Sequence, residues 1–227
     1  MPAIDTLEEL LKHELKDLYS AETQIIEALP EMIDVVMNSE LKQALQEHLA
    51  VTKKQKDRLN KIQELLGEEK TKERKGFFAN LFQSNEGEQH CKAMEGLVKE
   101  GNALMQENMD AEVMDAAIIA AAQKIEHYEI ASYGTARAYA LQLQLKEVAK
   151  LLEQTLKEEY QANDSLTKLA LGEVNLEAST PSFESGPTPP KKTASKTAAK
   201  SAKKTPEKKS SPKKAKTAKK STQKNKR

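Results

Sequence analysis

Glu126 and Glu129 stand three residues apart in the stretch Ala-Gln-Lys-Ile-Glu-His-Tyr-Glu-Ile-Ala-Ser-Tyr (122–133). Just before it, Asp115 to Ala122 is almost wholly Ala and Ile, a helix suited to burial. On a helix this spacing puts both carboxylates on one face, and Tyr133 follows one turn further along it. Two acids in an apolar helix are costly to bury unless something positive lies between them. The chemistry to look for is therefore cation binding, and the question is which other elements bring ligands to the same place.

Apolar residues recurring at steps of three and four mark those elements. A first helix over 4–38 carries Leu7, Leu11, Leu15, Leu18, Ile25, Leu29, Met32 and Val36, with Glu22 filling the gap in the stripe. Pro30 inside it predicts a kink or break, and Asn38-Ser39 signals a turn and a helix cap. A second helix, 40–66, carries Leu41, Leu45, His48, Thr52, Gln55, Leu59, Ile62 and Leu66, a heptad-like spacing, and Gly67 stops it. Residues 68–89 form a charged loop whose Phe77, Phe78 and Phe82 either clip onto the bundle or dock a partner. A short helix over 90–108 follows. Asp110 caps the long helix ending near Leu143, and a last helix over 145–171 carries Leu145, Val148, Leu152, Thr155, Glu159, Ala162, Leu166 and Leu169.

The apolar stripes have polar centres. Packing four long helices with stripes inward gives an all-α four-helix bundle with the short helix outside. Glu22, His48, Glu126, Glu129 and Glu159 then point into its middle, with Thr52, Gln55, Tyr133 and Thr155 one turn away. Four buried anions repel one another, so they take up protons or a cation neutralises them. Oxygen and imidazole donors together suit iron, manganese or zinc. The metal-free alternative is a protonated, hydrogen-bonded layer that sets helix register. His127 points about 100° away from Glu126 and suits the surface or a subunit contact. His13, His90 and the single Cys91 have no ligand partners in the pattern.

Several stretches carry a resemblance to the YciE/YciF family of stress-associated, ferritin-like bacterial proteins. They are Leu-Tyr-Ser-Ala-Glu (18–22), Ala-Met-Glu-Gly-Leu (93–97), Ala-Ala-Gln-Lys-Ile-Glu-His-Tyr-Glu-Ile-Ala-Ser-Tyr-Gly-Thr (121–135), Ala-Lys-Leu-Leu (149–152), and Glu158-Glu159 with Asp164. The resemblance covers residues 4–176 and implies a five-helix ferritin-like fold and a homodimer. Ferritin-like di-iron proteins place a Glu on two helices and Glu-x-x-His on the other two. Here Ala162 stands three residues after Glu159 and Val51 three residues after His48. Ala50-Val51-Thr52-Lys53 also replaces a Glu-Glu-Thr-His of one family member. The resemblance thus implies at most a weak metal-dependent oxidase or peroxidase activity. A single-metal site, a weak site and a vestigial polar belt all remain open.

Charge divides the chain. Its formal net charge of +1 conceals 16 Lys/Arg and one acid, Glu207, within residues 191–227, while residues 1–190 are strongly acidic. We read 1–176 as the bundle, 177–190 as a linker, and 191–227 as a disordered Lys-rich tail unable to bury a core. The tail lysines Lys191, Lys192, Lys196, Lys200, Lys203, Lys204, Lys208, Lys209, Lys213, Lys214, Lys216, Lys219 and Lys220 suit the phosphates of duplex DNA. Without aromatics, stacking on single strands is not expected. The tail is similar in texture to those of linker histones and bacterial histone-like proteins. Its alternatives are solubility, an anionic membrane surface, or return onto the acidic body.

With one cysteine no intrachain disulfide forms, and without a signal-type or membrane-spanning segment a cytoplasmic, nucleoid-associated protein is expected. Together these features lead us to expect a metal-binding stress-protection protein tethered to DNA, in the manner of DNA-protecting starvation ferritins. The competing expectation is a non-enzymatic nucleoid protein whose bundle only dimerises.

Overall fold

The computed structural model describes residues 4–68 and 89–180, which all belong to one compact unit within Met1–Glu184. The described residues are helical throughout: α1 (Leu7–Val35), α2 (Ser39–Glu68), α3 (Lys92–Met105), α4 (Ala111–Gln142), α5 (Lys146–Leu169) and α6 (Asn175–Ala178), with a π-helical turn, Ala170–Val174, joining α5 to α6. The expectations placed on Phe77, Phe78, Phe82 and the tail lysines lie outside the described residues.

Helix ends follow local chemistry. Thr6 and Glu9 form a capping box that starts α1, Thr6 Oγ1 accepting from the Glu9 amide at 3.2 Å and Glu9 Oε2 from the Thr6 amide at 2.9 Å. Asn38 Oδ1 accepts from the amides of Glu40 and Leu41 and caps α2. Asp110 sits at the N-cap of α4 but its side chain makes no capping bond. Of the kink or break expected at Pro30, the break does not occur, and α1 runs through it. Pro30 is exposed, and Ile26, whose carbonyl it leaves without an amide, is half-buried.

α1 packs on α2, α2 on α5, α5 on α4 and α4 on α1, closing a four-helix ring, while α3 lies outside against α1 and α4. Three residues join α1 to α2 and three join α4 to α5, so each pair is an antiparallel hairpin. In the second connection Gln144 takes a left-handed φ of 61°. In the first, the buried Asp115 of α4 accepts from the amides of Met37 (2.9 Å) and Asn38 (2.8 Å), pinning that turn to the neighbouring hairpin.

The whole α2 stripe from Leu41 to Leu66 is buried. Two apolar clusters result. One gathers Ile25, Leu29, Met32, Leu41, Leu45, Ile118, Ile125 and Leu166. The other gathers Leu11, Leu15, Leu18, Leu59, Ile62, Ala136, Val148 and Leu152. Each fully buried aliphatic side chain contributes about 1.5–3 kcal/mol, so both ends of the bundle are firmly closed. Between them lies the polar layer.

Candidate metal centre

Each polar position is a core position in its helix, which is why the side chain cannot reach water. Glu22 and Glu159 are 0% exposed, Glu129 1%, Glu126 2% and His48 9%. One ligand atom from each of His48, Glu126, Glu129 and Glu159 lies within 4.8 Å of the others. Three helices, α2, α4 and α5, thus deliver four donors to a space the size of one ion. Glu22 is not among the four. It faces them from α1, and Tyr133 Oη donates to its Oε1.

The remaining contacts are few. His48 Nε2 stands 3.4 Å from Glu126 Oε1 without a hydrogen bond, and Gln55 Nε2 donates to Glu159 Oε1. Thr52 turns its hydroxyl back to the His48 carbonyl at 2.9 Å. Among the described residues, the buried side-chain atoms with no hydrogen-bond partner in the protein are Glu22 Oε2, His48 Nε2, Gln55 Oε1, Glu126 Oε2, both Glu129 oxygens and Glu159 Oε2. Every one belongs to this layer. Buried polar atoms are normally satisfied, so such a concentration in one place needs a reason.

Burial dominates the electrostatics. It raises the carboxyls of Glu22, Glu126 and Glu129 well above their ordinary range, and the charge of Glu159 adds to each. Burial also brings Glu159 up to about 7. Its rise is held back by a hydrogen bond from Glu126, by the charge of Arg58 and by the Gln55 amide. Desolvation pushes His48 down to about 4, leaving it a neutral imidazole near pH 7. A neutral imidazole lone pair beside carboxyls that can give up protons is a donor set for a divalent transition ion.

Arg58 lies outside the apolar stripe of α2 and carries no signal in the periodicity. Its side chain is mostly buried, and it binds Glu158 through Nη1 and Nη2, both at 2.9 Å, and Thr155 Oγ1 at 2.5 Å. It faces the layer from the side, and its charge opposes the rise of both Glu22 and Glu159. The neighbouring Gln55 and Thr155 were legible as inward polar residues. An Arg three residues after Gln55 looked like any surface cation.

A cleft of about 240 Å³ between α2 and α5 reaches the edge of the layer and is lined by Ala44, Glu47, His48, Val51, Glu126, Glu158, Gln161, Ala162 and Ser165, among others. Val51 and Ala162, the positions where the Glu-x-x-His spacing would set further ligands, are two of its walls.

The other candidates lie elsewhere. His127 is exposed. His13 receives Gln89 at its ring, and His90 pairs with Glu95 at 3.3 Å on the surface. Cys91 is buried at the N-cap of α3, where Sγ lies 3.0 Å from Tyr128 Oη, which in turn donates to Asp17. No described helix is long and apolar enough to cross a membrane.

Comparison with known proteins agrees with this architecture. The DUF892 family, described as a domain of unknown function, matches residues 6–83 and 76–179. Protein YciF of Escherichia coli K12 is 42% identical over 173 residues, covering 76% of this chain and 95% of YciF. The crystal structure of the E. coli stress protein YciF superposes with a TM-score of 0.66 at 41% identity, over 76% of this chain and 99% of that one. YcfI from Rhodopseudomonas palustris, provisionally described as a structural protein, superposes with a TM-score of 0.63 at 40% identity, over 72% of this chain and 94% of its own. A ferritin-like bundle matched along nearly the full length of these relatives makes this chain a member of the YciE/YciF family, DUF892.

Proposed function

We propose that the bundle binds one divalent transition-metal ion through His48, Glu126, Glu129 and Glu159, and that the Lys-rich tail holds it on duplex DNA as a stress-protection protein. The observation that carries the metal reading is the set of partnerless buried atoms, all in one layer where donors of His48, Glu126, Glu129 and Glu159 meet within 4.8 Å. A cation held by His48, Glu126, Glu129 and Glu159 would satisfy most of them together, whereas a metal-free layer has to share protons among the carboxyls. Iron or manganese bound there would supply one-electron chemistry, and zinc only Lewis acidity.

The chain's own residues supply the rest. His48 offers a neutral nitrogen, Glu126 gives up the proton it shares with Glu159, and Tyr133 holds Glu22 in reserve on the opposite wall. Val51 and Ala162 offer no ligand where a second ion would need one, so a single ion is expected.

Metal content per chain, by elemental mass spectrometry on protein purified without tag or chelator, tests this. Stoichiometric iron, manganese or zinc that is lost in Glu126→Ala/Glu129→Ala supports it. A protein that is empty and also refuses added iron, manganese and zinc makes the layer a proton-sharing register device, and the bundle then serves only to assemble the protein.

The tail rests on its composition, 16 Lys/Arg with a single acid over residues 191–227. Gel-shift titration with duplex DNA should show binding that weakens steeply with salt and ignores sequence. A chain ending at residue 180 should lose it. Binding that survives the truncation would move the contact to the bundle. Light scattering on the full chain tests the expected homodimer.

A further inference from the structure

We propose that the cleft between α2 and α5 is the port through which a divalent cation enters the layer, an inference that rests on the metal-binding reading above. Four observations converge on it. The two apolar clusters close both ends of the bundle, so an ion cannot enter along its axis. On the α1 and α4 side, Glu22 and Tyr133 are fully buried and bonded to each other. Of the five inward donors His48 is the most exposed, and it lies in the cleft together with Glu126. Its Nε2, buried and without a hydrogen bond, is thus a first landing point on the way to Glu129 and Glu159.

The lining fits a cation shedding its water. Glu47 offers a carboxylate, and Gln161 and Ser165 offer neutral oxygens. Glu158, also on the lining, is bound by both Nη atoms of Arg58. The opening exists because Ala44, Val51 and Ala162 are small, and a volume of about 240 Å³ admits an ion with several waters. Glu47 carries the local field: its carboxylate is exposed at the cleft, held by Gln43 Nε2 at 2.8 Å.

The test is the rate of cobalt(II) uptake by the full-length, chelator-treated protein, followed by stopped-flow visible absorbance, with final stoichiometry measured on the same samples. Ala162→Leu narrows the cleft without touching a donor and should slow uptake severalfold while the final stoichiometry stays at the wild-type value. Glu47→Gln changes charge with little change of volume at an exposed position. It should also slow uptake, with a deficit that shrinks as salt is added.

Wild-type rates in both variants would overturn the port, as would a Glu47→Gln protein at the wild-type rate when Ala162→Leu fails to fold. A wild-type protein that takes up no cobalt at all would instead overturn the metal reading, and the port with it.

Discussion

Arg58 grips Glu158 with two guanidinium nitrogens, each 2.9 Å from a carboxylate oxygen, and reaches Thr155 Oγ1 with the same Nη1. This clamp joins α2 to α5 at the edge of the polar layer. Replacing Arg58 by Met leaves Thr155 without its donor and Glu158 with only the amides of Gln55 and Gln154, and should cost about 2 kcal/mol. Urea unfolding measures it. Removing the partner as well, in Arg58→Met/Glu158→Leu, should recover most of the loss, because an apolar pair of similar bulk replaces a mostly buried ion pair at little cost. A double variant as unstable as the single one would mean that Arg58 acts mainly on the layer.

The metal-free protein should lose stability as pH rises. Glu159, raised from 4.5 to about 7, is protonated in both folded and unfolded chains below pH 4.5; above it the unfolded chain ionises first, and stability is lost as pH climbs through 7. Glu22, Glu126 and Glu129 are raised in the same direction and extend the loss to higher pH. His48 acts oppositely: lowered from 6.5 to about 4, it adds stability as pH rises to 6.5 and nothing beyond. Four carboxyls outweigh one imidazole, and the fall should be steepest above pH 6.5. Melting temperature across pH, in chelator, checks this, and added manganese should flatten the slope. A metal-free protein whose stability stays flat above pH 6.5 would show that the carboxyls are already ionised there.

Tyr133→Phe removes a buried hydroxyl that Glu22 Oε1 depends on. Both oxygens of Glu22 would then lack partners in the protein, since Oε2 already does. A loss of about 1–3 kcal/mol is expected by thermal unfolding, the cost of stranding a buried acceptor. The variant should still bind metal, because Tyr133 is not among the four donors that meet. Loss of the ion with the hydroxyl would make Tyr133 a ligand or place Glu22 in the shell.

Ala162→His places an imidazole three residues after Glu159, the spacing that carboxylate-bridged bundles use, on a wall of the cleft that His48 also lines. The variant should hold zinc or cobalt more tightly, or hold more of it per chain. Competition with a chromophoric chelator measures the first and elemental analysis the second. Unchanged affinity and stoichiometry would put residue 162 out of reach of the ion.

Much of this organisation was legible in one dimension. Thr52 and Gln55 stand where the α2 stripe demands apolar side chains, and both are buried. The same reasoning marked Glu22, Glu126, Glu129 and Glu159 as inward, because a helix repeats its face whatever residue occupies it. Asn38 announced its cap, and the Thr6-Glu9 capping box was written in the sequence, although α1 starts at Leu7 and not at residue 4 as expected. At Pro30 the helix continues without a break, on a side of α1 that is exposed, and exposure is not a local property.

Periodicity says which face a residue occupies but not which inward residues meet, because that depends on the relative height and rotation of helices far apart in the chain. The sequence alone therefore determined an all-helical bundle with a polar layer, together with an acidic body and a basic tail. Only the tertiary structure decided that His48, Glu126, Glu129 and Glu159 converge within 4.8 Å while Glu22 turns to Tyr133. It alone also turned Arg58 inward and left a cleft beside Ala162. Distances between side chains on different helices are set by the packing of the whole core, and no stretch of the chain carries them by itself.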